Sequence, residues 1–121
     1  MITIAEYLMG RHHEYPITMA MLDSLSVLLA RVNRLRADYG QPMIVSSGYR
    51  PGKYNTAAGG AKASLHLTCE AVDIRDPFGT LAKFLTVEKL REFDLHMEDP
   101  ARTKGWVHLD TKKRATRIYK P

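Results

Sequence analysis

The longest regular pattern in the chain predicts one amphipathic helix over residues 18–39. Apolar side chains recur there at steps of three and four residues, the spacing of one helix face, and Gly40 follows as a residue suited to end the helix. The apolar face consists of Met21, Leu22, Leu25, Leu28, Leu29, Val32 and Leu35. We expect this helix to be the scaffold on which the other elements pack.

Shorter apolar patterns predict strands. The run 43–45 is suited to a buried strand that ends at the Ser-Ser-Gly of residues 46–48, and residues 70–74 alternate polar and apolar side chains. Residues 93–98 and 106–110 flank a segment with Pro and Gly, which predicts a hairpin. Ile118 and Tyr119 can add an edge strand.

Two further segments complete the predicted fold. Residues 52–63 are rich in Gly and Ala without a clear period, which predicts a loop with at most one helical turn. Thr80 is predicted to cap a helix that carries Leu81, Phe84, Leu85 and Leu90 on one side. We therefore expect the α+β class, with a small antiparallel sheet and helices packed on one of its faces.

Length and composition limit the architecture. With 121 residues, 45% of them hydrophobic, we expect one domain over residues 1–121 with one core. No stretch approaches the roughly 18 consecutive apolar residues of a membrane span, so we expect no membrane partner. The first residues carry no recognisable export signal, which favours cytoplasmic synthesis, and we expect a monomer.

Charge and cysteine content narrow the chemistry. The formal net charge of +5 and the basic tail 112–120 favour contact with a polyanion, but do not choose between nucleic acid and an anionic cell wall. Cys69 is the single cysteine, which excludes an internal disulfide and a structural zinc site of paired thiolates. Any metal must therefore be held by histidines and carboxylates.

One such set of ligands is available. His66 and Asp73 lie seven residues apart at the start of a predicted strand, and His108 lies on a later strand. Two histidines and one carboxylate supply the three protein ligands of a catalytic zinc site and leave a position for water. The spacing alone is weak support, because single histidines more often serve packing or the surface.

The sequence around these residues resembles a known family. The run Ser64-x-His66-x-x-Cys69-x-Ala71-x-Asp73 is similar to the Ser-x-His-x-x-Gly-x-Ala-x-Asp signature of the D-alanyl-D-alanine carboxypeptidase family. That family belongs to the zinc peptidase superfamily of the vancomycin-resistance dipeptidases, the phage L-alanyl-D-glutamate endolysins and the hedgehog domain. The resemblance implies the same kind of fold.

Two further segments carry the resemblance, which runs in order from residue 44 to residue 110. Residues 47–50 are similar to a Ser-Gly-Tyr-Arg segment of the family, and residues 105–108 resemble the Trp-His segment that brings the last ligand. The resemblance implies a Zn²⁺ ion on His66, Asp73 and His108. It also implies that Arg50 is the fixed cation that stabilises the oxyanion.

The resemblance further implies contacts with substrate from Ser64, Tyr49 and Trp106. Ser64 has two open interpretations, since it can brace a ligand or touch substrate, and a serine before a turn is equally often a local cap. Arg50 also has a simpler interpretation as a surface arginine after a turn.

The general base is the first departure from the pattern. Many family members have an acidic residue three positions before the last histidine ligand, where this chain has Gly105. We predict that Glu98 takes this role, because a hairpin that pairs it opposite Trp106 would turn it toward the site. Asp99 and Asp110 remain alternatives. A glutamate in the place of Glu98 is usual in the phage-borne branch that the segment 95–108 resembles.

Cys69 is the second departure, since the pattern has glycine at that position. If the turn requires a positive φ, a cysteine there is strained and can shift the ligands. A thiol so near His66 can also compete for the metal, although a small buried side chain is the simpler interpretation.

Together these features predict a zinc peptidase that acts on peptidoglycan stem peptides, as a carboxypeptidase or an endolysin-type endopeptidase. Small size and the missing export signal favour a phage-encoded or virion-associated enzyme at the cell wall. The main alternative is a catalytically inactive zinc-binding phage structural protein of the same fold, favoured by Gly105 and Cys69. A nucleic-acid-binding module is disfavoured, because no stacking surface or recognition motif accompanies the charge.

Overall fold

The computed structural model describes all residues from 1 to 121. Short 3₁₀ turns lie at Arg11–His13 and Pro100–Arg102. The helices are α1 (Ile4–Leu8), α2 (Met19–Tyr39), α3 (Gly52–Ala57), α4 (Thr80–Phe84) and α5 (Val87–Glu92). The strands are β1 (Val45–Ser47), β2 (Ala71–Asp76), β3 (His96–Glu98), β4 (Gly105–Asp110) and β5 (Ile118–Tyr119). None of the helices is long and apolar enough to cross a membrane.

The strands form one five-stranded sheet in the order β1-β2-β4-β3-β5. The first three pairings are antiparallel, as expected, whereas β5 runs parallel to β3 with Ile118 beside Met97. The sheet is therefore mixed, and the α+β class is confirmed. The parallel pairing follows from the chain between β4 and β5, which turns back before it joins the sheet edge.

Local signals define α2 as the sequence predicts. The Thr18 side chain accepts a hydrogen bond from Met21 N at 3.1 Å, and Gly40 ends the helix with φ 72°. Such a cap satisfies one of the free N–H groups of the first turn. The helix buries Leu25, Leu28, Leu29, Val32 and Leu35. These side chains share one hydrophobic cluster with residues of β2, β3 and β4, so the helix covers the apolar face of the sheet.

Two elements differ from their predicted positions. The first strand covers Val45–Ser47 instead of residues 43–45, because the residues that pair with β2 are Val45 and Ser47. Met43 is buried ahead of the strand, and Ile44 is 59% exposed. The predicted helix after residue 79 is two short helices. Thr80 is the first residue of α4, and the carboxylate of Asp76 accepts the N–H groups of Leu81 and Ala82 in place of a threonine cap.

The predicted loop 52–63 is half helical. Its first six residues form α3, and the chain from residue 58 continues without regular structure to the turn that precedes β2. The predicted helix after residue 79 is interrupted between α4 and α5. Thr86 is the N-cap of α5, and its side chain accepts a hydrogen bond from Lys89 N at 3.2 Å.

Candidate metal centre

Strand alternation separates the sheet into an apolar face and a cavity face. Asp73 on β2 pairs directly opposite His108 on β4, and opposed residues of antiparallel strands point to the same face. The residues next to them in sequence, Val72 on β2 and Leu109 on β4, point to the opposite face and belong to the hydrophobic cluster. The cavity face therefore carries the carboxylate and one of the imidazoles side by side.

His66 reaches the same point from the turn before β2. It is 1% exposed, its Nδ1 lies 2.8 Å from the carbonyl oxygen of Gly48, and its Nε2 lies 3.2 Å from Asp73 Oδ1. A carbonyl oxygen can only accept, so Nδ1 carries the proton and the lone pair of Nε2 points at Asp73. Gly48 thus fixes which nitrogen of His66 is free to bind a cation.

His108 is oriented in the same manner through its other nitrogen. Its Nε2 lies 3.1 Å from Asp110 Oδ2, and its Nδ1 lies 2.8 Å from Asp73 Oδ1. A carboxylate partner keeps the proton on Nε2 in the neutral ring, which turns the Nδ1 lone pair toward Asp73. Two lone pairs and one carboxylate oxygen then face a common point.

The donor set fits a divalent metal. Ligand atoms of His66, Asp73 and His108 all lie within 4.8 Å of one another. Tetrahedral zinc with bonds of roughly 2.0–2.2 Å needs neighbouring ligand atoms about 3.3 Å apart, close to the two contacts that Asp73 makes. Without a cation or a proton between them, these acceptors would repel one another. The residues present are therefore suited to hold zinc.

The charges of the site follow from the same contacts. Burial acts to raise the pKa of Asp73, but its contacts with His108 and His66, which donate to the carboxylate when the facing nitrogen is protonated, outweigh burial and hold the pKa below its usual value. Burial acts to lower the pKa of His108, but the hydrogen bonds to Asp110 and Asp73 raise it to about 9. In the metal-free protein a proton on His108 therefore supplies part of the positive charge that the site requires.

Arg50 and Ser64 border these ligands. Arg50 Nη1 lies 3.8 Å from Asp73 Oδ2, and Arg50 Nη2 donates to Ser64 Oγ at 3.4 Å. Ser64 Oγ also accepts the backbone N–H of His66 at 3.2 Å, so the serine braces both the ligand segment and the arginine. Arg50 Nε is buried without a hydrogen-bond partner, and the side chain lines the cavity. The guanidinium is thus held beside Asp73 and Ser64 at the cavity wall.

A cavity of about 880 Å³ opens over the centre. Glu98 and Trp106 line it together with the three candidate ligands, Arg50 and Ser64. The strand register explains the position of Glu98: Met97 pairs with Leu109, and the next step brings Glu98 opposite His108. The predicted pairing with Trp106 is wrong by two residues. A shift of two keeps the side chain on the same face, because side chains alternate with a period of two.

Positive charge dominates the cavity rim. Arg75, Lys112 and Lys120 line the cavity, and none of them has a carboxylate within 4.0 Å. A rim of unpaired cations attracts anionic groups to the cavity mouth.

The structure does not bring Tyr49 to the cavity. The residue is 3% exposed and lies in the hydrophobic cluster, and its hydroxyl donates a hydrogen bond to the carbonyl oxygen of Tyr15 at 2.9 Å. The expected contact with substrate is therefore replaced by a packing role. Among the alternatives for the base, Asp99 accepts the N–H of Ala101 as the cap of a 3₁₀ turn, and Asp110 is fully buried by its partners.

The two departures from the family pattern have structural explanations. Cys69 has φ 63°, so the turn does require the left-handed conformation that favours glycine. The thiol is buried and lies outside the metal cluster, and burial, followed by the charge of Glu70, raises its pKa to about 11. Gly105 has φ 89°, a backbone conformation in which a glutamate at that position would be strained.

Sequence reasoning missed two supports of the ligands, Gly48 and Asp110. Asp110 lies two residues after His108 on the same strand, and this spacing already places both side chains on one face. Gly48 acts through its carbonyl oxygen, for which the side-chain pattern carries no signal.

Comparison with protein families assigns the chain to one family. The family model described as peptidase M15 matches residues 8–110, which include the three candidate ligands, Arg50 and Glu98. The chain belongs to the peptidase M15 family. Peptidases of this family depend on zinc, which agrees with the donor set on the cavity face. Searches of curated proteins and of solved structures each found no significant match.

Proposed function

We propose that this M15 peptidase binds Zn²⁺ through His66 Nε2, Asp73 Oδ1 and His108 Nδ1 and hydrolyses a peptide bond in peptidoglycan stem peptides. The observation that carries the proposal is the convergence of these three atoms while the second nitrogen of each imidazole is already bonded to an acceptor. Such outer hydrogen bonds are typical of histidines that ligate metals.

The chain's own residues supply the remaining chemistry. Zinc, when bound, polarises a carbonyl and lowers the pKa of a water molecule. The Glu98 carboxylate lines the same cavity and accepts the proton of the attacking water, then passes it to the leaving nitrogen. The Arg50 guanidinium lines the same cavity and donates to the carbonyl oxygen as negative charge develops there.

The rim charges favour an anionic peptide as substrate. Arg75, Lys112 and Lys120 line a cavity whose only lining side-chain carboxylates are Asp73 and Glu98. Stem peptides of peptidoglycan carry free carboxylates beside their peptide bonds, so they match this rim in charge. The net charge of +5 supports the further proposal that the protein binds the anionic cell wall.

The proposal is tested by incubating the purified protein with purified peptidoglycan and measuring new amino groups and free D-alanine. We expect release that depends on zinc and stops with a chelator, and Glu98→Gln to lower the rate about 100- to 10,000-fold, the usual contribution of a general base. Released D-alanine would indicate a carboxypeptidase, and new amino groups without it an endopeptidase.

Asp99→Asn is the matched control, because it removes the neighbouring carboxylate, which caps a 3₁₀ turn and does not line the cavity. We expect it to keep most of the activity. Stoichiometric zinc binding without any release by the unaltered protein would reject the peptidase proposal and favour the inactive zinc-binding alternative.

A further inference from the structure

The chain beyond the family match returns to the metal centre. The M15 match ends at Asp110, yet the following residues turn back so that β5 pairs with β3 on the far side of β4. This path brings Arg114 and Tyr119 to the cavity, where both line its wall. Residues 111–119, called the return segment below, are therefore part of the site although the family model does not cover them.

Asp110 is the point at which the return segment meets the centre. Its side chain is 0% exposed. Oδ1 accepts from Arg114 Nη1 at 2.5 Å and from the backbone N–H of Lys112 at 3.1 Å, while Oδ2 accepts from Tyr119 Oη at 2.5 Å and from His108 Nε2 at 3.1 Å. Each oxygen thus accepts two hydrogen bonds, and the four donors together fix the orientation of the carboxylate.

The two side chains of the return segment also hold each other. The Arg114 guanidinium lies over the ring of Tyr119, 3.6 Å from its centroid. A planar cation on an aromatic face restricts both groups, and the tyrosine hydroxyl then has a fixed direction toward Asp110. The pair thus forms a rigid support for both carboxylate oxygens, with Arg114 on Oδ1 and Tyr119 on Oδ2 beside His108.

A fixed Asp110 has one consequence for the ligand. Oδ2 presents one acceptor position to His108 Nε2–H, which sets the rotation of the imidazole ring and points Nδ1 at Asp73 Oδ1. If Asp110 could rotate, the His108 ring would lose this restraint. Metal binding would then have to order the ring, and the metal affinity would be lower by the cost of that ordering.

We propose that Asp110, Arg114 and Tyr119 are positioning residues for His108, and that the return segment thereby sets the metal affinity of the centre. None of the three is a metal ligand or a group that reacts with substrate. This inference rests on the proposed metal centre, and it assigns a role to Arg114 and Tyr119, which lie outside the family match.

The test measures zinc affinity of the full chain by competition with a chromophoric chelator, and the visible absorption spectrum of the Co²⁺-loaded protein. We expect Asp110→Asn to weaken zinc binding about 10- to 100-fold, as removal of a histidine-orienting carboxylate typically does. Tyr119→Phe and Arg114→Met, which loosen Asp110 without removing it, should each weaken binding about 3- to 10-fold. The Co²⁺ spectrum should change in all three.

Two variants separate positioning from mere stability. Arg117→Met removes another arginine of the return segment, one that pairs with the exposed Asp94, and should leave zinc affinity within twofold of the unaltered protein. Arg114→Lys keeps the charge and should restore most of the affinity lost in Arg114→Met. The melting temperature of the metal-free proteins is measured in parallel.

The outcomes are distinct. If the three variants lower the melting temperature but leave zinc affinity and the Co²⁺ spectrum unchanged, the positioning role is rejected and the proposed metal centre stands. If the unaltered protein binds no zinc, the metal centre and the positioning role fall together. Tyr119→Phe keeps the test decisive if Asp110→Asn does not fold, because it removes a single hydroxyl.

Discussion

Replacing Gly48 by alanine tests the contact that joins the first helix to the metal centre. Gly48 lies against the C-terminal end of α1, and a methyl group built on it would lie 2.2 Å from Tyr7 O and 2.9 Å from Tyr7 C. Nonbonded carbon and oxygen atoms require a separation of more than 3 Å, so the segment must move by about 1 Å. The same glycine accepts the hydrogen bond from His66, so the movement reaches a proposed metal ligand.

The magnitude follows from the structure. Overpacking of a tight contact costs about 1–3 kcal/mol, and the hydrogen bond from Tyr49 N to Tyr7 O, 3.1 Å long, is worth about 1 kcal/mol when it is lost. The expected destabilisation of Gly48→Ala is therefore about 2–4 kcal/mol, or roughly 8–16 °C in melting temperature for a chain of this length. Zinc affinity should fall about 10- to 100-fold, because His66 loses its orienting acceptor.

Gly40→Ala is the matched control, since it makes the same chemical change at a position where the new methyl group meets nothing within 4 Å. Its φ of 72° gives a cost of about 1 kcal/mol, and zinc affinity should not change. Thermal unfolding of the metal-free proteins and chelator competition measure both quantities. Equal stability of the two variants, together with unaltered zinc binding by Gly48→Ala, would refute this reasoning.

Two further predictions concern Cys69 and the cavity rim. The buried Cys69 thiol should react with a disulfide reagent at pH 8 only as the chain unfolds. Its pKa in the folded protein, about 11, exceeds the ordinary 9.0, so the free energy of unfolding should fall as the pH rises from 9 toward 11. Rapid labelling of the native protein would contradict the burial. The double change Lys112→Met and Lys120→Met should weaken peptidoglycan binding in low salt, whereas Lys113→Met, which removes an exposed lysine outside the cavity, should not. The same loss per removed charge in a pull-down assay, with Lys113→Met losing about half as much binding free energy as the double variant, would show that total charge, and not the rim, governs binding.

The elements that the sequence predicts well are those with local signals. Helix α2 begins after Thr18 and ends at Gly40, because a threonine cap and a residue with positive φ act within a few positions of the helix ends. The first strand is displaced because an apolar run does not determine which residues pair. Ile44 lies in the apolar run yet is mostly exposed at the sheet edge, while the paired strand continues to Ser47.

Register explains why Glu98 lies on the cavity face although its predicted pairing partner is wrong. The sequence predicts Glu98 opposite Trp106, and the structure brings it opposite His108 instead, two residues further along β4. Since the side-chain period of a strand is two, this error leaves Glu98 on the cavity face, whereas an error of one residue would have buried it in the hydrophobic cluster. A sequence pattern therefore predicts the face of a catalytic candidate more reliably than its partner.

The supports of the site could not be predicted for a different reason. The contact between Asp110 and Tyr119 depends on the parallel pairing of β5 with β3, and two residues of edge strand carry no signal of direction. The ligands can be recognised from the spacing of a few side chains, but their orientation depends on a backbone carbonyl at Gly48 and on this long-range pairing. The proposed metal ligands are thus encoded locally, whereas the residues that orient them are set by the tertiary fold. Variants of the second group are the ones that test the structure itself.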